Sequence, residues 1–294
     1  MKTRLSIISV MFIFLSITGS RLFAQTSDAK AFSVNVVGKG EPMLFIPGLT
    51  CSAQVWDETI ARYSKNHQCH VFTLAGYAGQ APAADTLYLE TFKNAIVKYI
   101  KDKKLDNVIL VGHSIGGFLS LRIATELHQH LKKAIIVDAL PFYAGLMNPN
   151  AKVGFDSEMA KNSLAALSKM DDKQLRINQL NTAKFLCADS TKWELIANWG
   201  AKSDRKTMTY SMYEMLGNDI RNDISAINIP VLVMAAFAPV PSYPAFTKAY
   251  VLSSYRQQYA ACKSCTVEVT QSSKHFIMYD APEWLFSQID SFIQ

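Results

Sequence analysis

The 294-residue chain has no internal repeat, no low-complexity tract and no block of like charge, which excludes solenoid arrays and long disordered tails. It has no H-E-x-x-H or comparable ligand spacing, so neither a metal nor a cofactor is expected. Cysteine is scarce: there are five, Cys51, Cys69, Cys187, Cys262 and Cys265, and the odd number leaves at least one free or bonded to another chain. Only Cys262 and Cys265 invite pairing. Their C-K-S-C reads as a short disulfide, a zinc half-site, a redox pair or two free thiols; zinc would need two further ligands, and a redox pair a thioredoxin-like setting.

The apolar core at 5–17 is too short to span a bilayer comfortably. Preceded by Lys2 and Arg4 and followed by the small, polar end 20–24, it describes a secretory signal peptide over residues 1–24, cut before Gln25. A membrane anchor or a buried helix is the competing reading. The mature protein is expected to be secreted or periplasmic, without stable membrane insertion. The residue directly after the cleavage site is Gln25, not a cysteine that could carry a lipid. Loss of Lys2, Arg4 and Arg21 leaves 27 basic against 24 acidic residues, a net charge of +3. That balance is too mild for a nucleic-acid partner. The partner expected is a small-molecule substrate, and no pattern in the chain fixes an oligomeric state.

Residues 107–121, N-V-I-L-V-G-H-S-I-G-G-F-L-S-L, organise the remainder. A β-branched apolar run breaks at Gly112, and beyond Ser114 the spacing of Ile115, Phe118, Leu119 and Ile123 is helical. Gly112, Ser114 and Gly116 form G-x-S-x-G, whose small residues allow a tight turn that projects a strained serine from the carboxyl edge of a sheet. The plainer reading is an ordinary turn in which Ser114 caps the helix.

Strands are expected at 31–37, 43–46, 69–74, 108–111, 134–137, 231–235 and 266–269. Helices are expected at 54–63, 89–103 and 246–261, with a last one at 284–292. The alternation implies an α/β fold, a mostly parallel sheet covered on both faces. Between 140 and 228 the rhythm changes to four helical segments, near 158–170, 173–186, 192–199 and 205–216, which read as an inserted all-helical cap. Most of its apolar residues, among them Met147, Met159, Leu167, Phe185, Trp193, Trp199, Met208, Met212, Tyr213 and Met215, are expected to pack on the sheet domain. Soft methionines and aromatics also suit a pocket for apolar ligands. A polar loop at 270–274 delivers His275, and Asp280-Ala-Pro-Glu283 has capping-box spacing, so Asp280 is expected to cap the last helix. His113 is expected to pack away from Ser114; His67, His70, His128 and His130 fall at the far edge of the sheet.

On Gly112-His-Ser114-Ile-Gly116-Gly117, Pro47-Gly48-Leu49, the helical insertion and His275, the chain resembles the α/β-hydrolase family of serine hydrolases from Phe32 to Ile293. The resemblance implies a core domain of 25–139 and 229–294, a helical cap of 140–228, and the order nucleophile, acid, histidine, which Ser114, Asp138 and His275 keep. The departure is in the acid. Many relatives carry it after the strand that follows the cap, but between Pro230 and His275 the sole acid here is Glu268, inside the last strand. Some members carry it one strand earlier, where Asp138 stands. The other readings are Asp138 as a turn former before Pro141, and Asp219 or Asp223 as the acid.

In that family His275 takes the Ser114 proton as serine attacks a carbonyl, and the acid orients the imidazole. The resemblance assigns the oxyanion hole to the N–H groups of Leu49 and Ile115; each such donor is worth roughly 3 kcal/mol in the transition state. Where relatives often show His-Gly, this chain has Pro47-Gly48, which leaves the donor amide in place. The activity implied is hydrolysis of a small, largely apolar ester or related acyl compound. Alternatives on the same residues are a carbon–carbon bond hydrolase, a cofactor-free haloperoxidase-like enzyme, a lyase-type relative, or a non-catalytic binder.

Overall fold

The computed structural model describes residues 30–84, 87–147, 151 and 153–294. The leader expected at 1–24 and the side chain of Met147 lie outside this description. Strands β1 (Phe32–Val37), β2 (Glu41–Ile46), β3 (His67–Leu74), β4 (Val108–His113), β5 (Leu131–Val137), β6 (Val231–Ala235) and β7 (Cys265–Val269) form one sheet in the order β1-β3-β2-β4-β5-β6-β7. Every neighbouring pair is parallel except β1 on β3.

β4 lies in the middle, and all six of its residues are buried. That position explains the unbroken apolar run: a strand covered on both faces has no solvent side on which to place polar residues. Residues alternate between two cores. Leu44 and Ile46 face one, with Phe92 of α2 (Tyr88–Asp102) and Phe118 of α3 (Ile115–Leu127). Met43 and Phe45 face the other, with Trp56 and with Tyr63 of α1 (Asp57–Tyr63). Burial of each large side chain contributes about 1.5–3 kcal/mol relative to exposure.

Between β5 and β6 run α4 (Tyr143–Met147), α5 (Ser157–Ser168), α6 (Asp172–Leu186), α7 (Trp193–Lys202) and α8 (Arg205–Gly217). Their starts are set locally: Asp156, Asp171 and Asp204 each accept a backbone N–H as N-caps. α6 packs on α7 and α5 on α8. The insertion is also pinned to the core by a buried carboxylate. Glu214 of α8 accepts the N–H groups of Tyr88 (3.0 Å) and Leu89 (2.8 Å) at the start of α2, where Leu87 provides no side-chain cap. Trp199 and Met215 pack inward as expected, but Met159 and Phe185 are 55% and 78% exposed, because they lie on the outer faces of α5 and α6.

α9 (Lys248–Gln258) begins two residues later than the periodicity suggests, because Thr247 caps it through the N–H of Tyr250. A short α10 (Ile277–Asp280) then precedes α11 (Pro282–Ile293), which contributes Leu285 and Ile289 to the second core. The expected capping role of Asp280 is overturned: α11 opens at Pro282 behind Ala281 with no side-chain cap, and the Asp280 carboxylate turns elsewhere. Cys262 and Cys265 form a disulfide, while Cys51, Cys69 and Cys187 are free and buried. Among the described residues no helix is long and apolar enough to cross a membrane.

Candidate active site

Strand register gathers the expected residues. Ile46 pairs with Gly112, Gly112 with Ile136, and His113 with Val137, so the chain leaves the sheet side by side at Pro47, Ser114 and Asp138. β6 and β7 end level at Ala235 and Val269, which brings in the loop to His275. Strands lie about 4.8 Å apart, close enough for side chains from adjacent ends to meet.

Ser114 sits at φ 55° and ψ −123° between β4 and α3, a conformation that costs a non-glycine residue about 1–3 kcal/mol. Its N–H donates to the carbonyl of Val137 at 2.9 Å, and its carbonyl accepts from Phe118 at 3.0 Å, so both neighbours hold the turn. Its hydroxyl makes no capping hydrogen bond, unlike that of a simple N-cap serine. Gly116 is demanded by crowding: a Cβ there would lie 2.3 Å from the carbonyl oxygen of Ile46 and 2.5 Å from that of Pro47.

His275 Nδ1 lies 2.6 Å from Oδ2 of Asp138. The second oxygen, Oδ1, accepts the N–H of Ala236 at 2.8 Å and the hydroxyl of Tyr255 at 2.7 Å. Just past the end of α9, the Tyr259 hydroxyl donates to the carbonyl of Ala139 at 2.8 Å, tying down the residue beside Asp138. Burial alone would raise the Asp138 carboxyl. The bond and charge of His275, with the Ala236 and Tyr255 donors, outweigh it and hold the group below the usual carboxylate range. Asp219 is instead engaged by Arg221 at 2.6 Å.

His113 departs from expectation. Its ring lies 4.5 Å from that of His275, it lines the same cavity as Ser114, and its Nε2 lies 3.0 Å from the His275 carbonyl oxygen. Burial, and then the nearby His275, push it down to about 3, so it is neutral and donates that hydrogen bond through Nε2. Gly48 is the complement: a Cβ there would meet His113 Nδ1 at 2.7 Å and Ser114 Cβ at 3.3 Å. Leu49 follows on the cavity wall, and Ile115 holds the first position of α3, where a backbone N–H has no intrahelical partner.

The cavity is about 440 Å³ and is bounded by Ser114 and His275 below and by α5, α6 and α8 above. Leu167, Leu186, Met208, Met212, Met215 and Phe276 provide apolar walls; Ser163, Asn178, Gln179, Thr182 and Thr209 provide neutral polar ones. Among the described residues no Asp, Glu, Lys or Arg lines it. Cys51 also borders it, but burial pushes its thiol up to about 12, which keeps it protonated and poorly nucleophilic. Among the described residues no group of three or more His, Cys, Asp or Glu is placed to hold a metal ion.

A serine on a strained turn after the central strand of a parallel sheet, beside a histidine bonded to a buried carboxylate, defines a hydrolase-type α/β architecture. The model of the alpha/beta hydrolase family matches residues 43–288, and the chain belongs to that family. A pimeloyl-[acyl-carrier protein] methyl ester esterase from Proteus mirabilis is 26% identical over 132 residues, covering 43% of this chain; the chain spans about half the length (49%) of that relative. Among solved structures, an esterase from Exiguobacterium antarcticum superposes with a TM-score of 0.72 at 16% identity, over 89% of this chain and 95% of that one. A bromoperoxidase from Bacillus anthracis does so with the same score, identity and coverage. At that identity the structural likeness speaks for the fold.

Proposed function

We propose that this protein is a serine hydrolase that cleaves a small, neutral, largely apolar ester or related acyl substrate through Ser114, His275 and Asp138. The observation that carries the reading is the 2.6 Å contact of His275 with Asp138 beside a serine in a strained turn, with Ser114 and His275 open to one cavity whose described lining is uncharged. Asp138 accepts the proton on Nδ1, which leaves Nε2 as the basic nitrogen. Nε2 takes the hydroxyl proton as Ser114 Oγ bonds to the substrate carbonyl carbon, and the carbonyl π pair moves onto oxygen. The N–H groups of Leu49 and Ile115 hold that oxyanion. Collapse expels the alcohol, which receives the proton from His275. Water then attacks the acyl-enzyme with His275 again as base, and the acid and free serine are released. The esterase among the sequence relatives supports ester chemistry, and the uncharged lining among the described residues favours substrates without charge.

We further propose export, with residues 1–24 removed; the Cys262–Cys265 disulfide is of a kind that oxidising compartments preserve. N-terminal sequencing of the exported protein is expected to start at Gln25, and recovery from Met1 in a membrane fraction overturns this.

Incubation with a fluorophosphonate probe tests the main reading. The expected result is a single adduct on Ser114, with aryl-ester hydrolysis lost in Ser114→Ala by more than about a thousandfold. An unlabelled but folded protein that binds the esters without turnover would be a binding member of the fold, and label without ester turnover would point to carbon–carbon or haloperoxidase-like chemistry.

A further inference from the structure

The carboxylate that does not cap α11 has another occupation. Asp280 Oδ1 accepts the N–H of Ala188 at 2.9 Å, the N–H of Asp189 at 3.0 Å and the thiol of Cys187 at 3.3 Å. Oδ2 accepts the N–H of Lys274 at 2.8 Å and shares that of Ala188 at 3.1 Å. Residues 187–189 are where α6 ends, and Lys274 is the residue before His275. Two more bonds cross the same seam: Lys274 Nζ donates to the carbonyl of Lys184 at 2.6 Å, and the Phe276 N–H donates to that of Leu186 at 3.3 Å. α6 in turn presents Gln179, Thr182 and Leu186 to the cavity.

The chemistry of the junction calls for an ionised acid. Every group converging on it is an N–H or S–H donor, and a carboxylate is acceptor only, with about four lone-pair sites on two oxygens. An amide of the same shape has one acceptor oxygen and would turn two hydrogens towards donors. On its other flank the histidine is held by Asp138 at Nδ1 and by His113 at its carbonyl. The Lys274 bond is therefore a third restraint, arriving from the helix that walls the substrate cavity.

We propose that Asp280 is a positioning residue for His275, locking the histidine loop to the C-terminal end of α6 so that the base and the substrate wall keep one fixed relation. This rests on the reading of His275 as the general base. The test uses the mature protein and Asp280→Asn. Misplacing a reacting group by about 1 Å costs on the order of a hundredfold, so kcat on an aryl ester is expected to fall tenfold to a hundredfold, with KM within about threefold. In proton NMR, the low-field signal of the His275 Nδ1 proton in its bond to Asp138 is expected to shift or broaden. Both changes are required: an unchanged kcat or an unchanged signal overturns the proposal, even if the variant melts at a lower temperature. If Asp280→Asn does not fold, the same pair of readouts is taken on Asp280→Glu, which keeps the charge and displaces it. Failure of the functional reading looks different: wild type then neither hydrolyses esters nor takes the fluorophosphonate, while the NMR signal still reports whether Asp280 places His275.

Discussion

On the sheet side of the cavity, Ser114 and Asp138 both hold left-handed backbone angles, and each is fixed by hydrogen bonds from neighbouring strands. On the roof side, α8 offers Met208, Met212 and Met215, unbranched side chains that repack around what they touch. The two regions face the same space and do different work. The lower one is held in strained backbone by hydrogen bonds, while the upper one is walled by side chains that can repack.

That contrast is broken most severely at the acid. Asp138→Asn is expected to lower kcat about ten-thousandfold without unfolding the protein, because the amide can hold the imidazole in the wrong tautomer and cannot stabilise the imidazolium. Asp219→Asn, measured on the same aryl ester, is expected to stay near wild type; loss in Asp219→Asn with activity retained in Asp138→Asn would transfer the role. Tyr255→Phe is a gentler probe of the same side. It removes one of three partners of the carboxylate, and kcat is expected to drop about tenfold with little change in KM.

His113 exposes what the rigid side demands in acid. Burial favours its neutral form and puts its folded value, about 3, below its ordinary one, so the unfolded chain takes the proton first. Its contribution to stability is fully present above about pH 6.5 and is lost as the pH falls from there towards 3, at up to about 1.4 kcal/mol per pH unit. His113→Asn is expected to flatten this part of the profile, as read by urea unfolding at pH 7 and pH 4.5; parallel profiles for the two proteins would contradict it. The smallest effect is expected on the soft side. Met212→Ala enlarges the roof, and each substrate methylene that fills the gain is worth about 0.8 kcal/mol, about fourfold in kcat/KM, so the preferred acyl chain lengthens. An unchanged preference across a chain-length series would show that this wall does not meet the acyl group.

Local pattern carried much of the fold. G-x-S-x-G between a buried strand and a helix announced the strained turn, and four helical segments announced α5, α6, α7 and α8. The carboxylate partner of His275 was harder. The missing carboxylate after β6 narrowed the choice, but the Asp138–His275 contact spans 137 positions and depends on strand register that no local pattern states. The contacts of His113, Tyr255 and Asp280 with His275, Asp138 and Lys274 were not legible for the same reason. His113 reads as core by strand alternation, and Tyr255 as one apolar position of α9. Asp280 stood in a spacing that fits a capping box so well that its long-range donors, 6 to 93 positions away, left no trace.

The carboxylate bonded to His275 stands after β5, and the stretch after β6 holds no Asp or Glu. Its commitments are made by main chain: the Ala236 N–H to Asp138, and the Phe237 N–H and carbonyl to Thr270 and Ser273. Beyond them residues 239–245 are exposed, and the Phe237–Phe246 ring contact at 5.8 Å closes the base of the segment. Lengthening a flexible loop costs only about 0.6 kcal/mol per doubling, so an insertion within 239–245 is expected to leave both the fold and the Asp138–His275 contact in place.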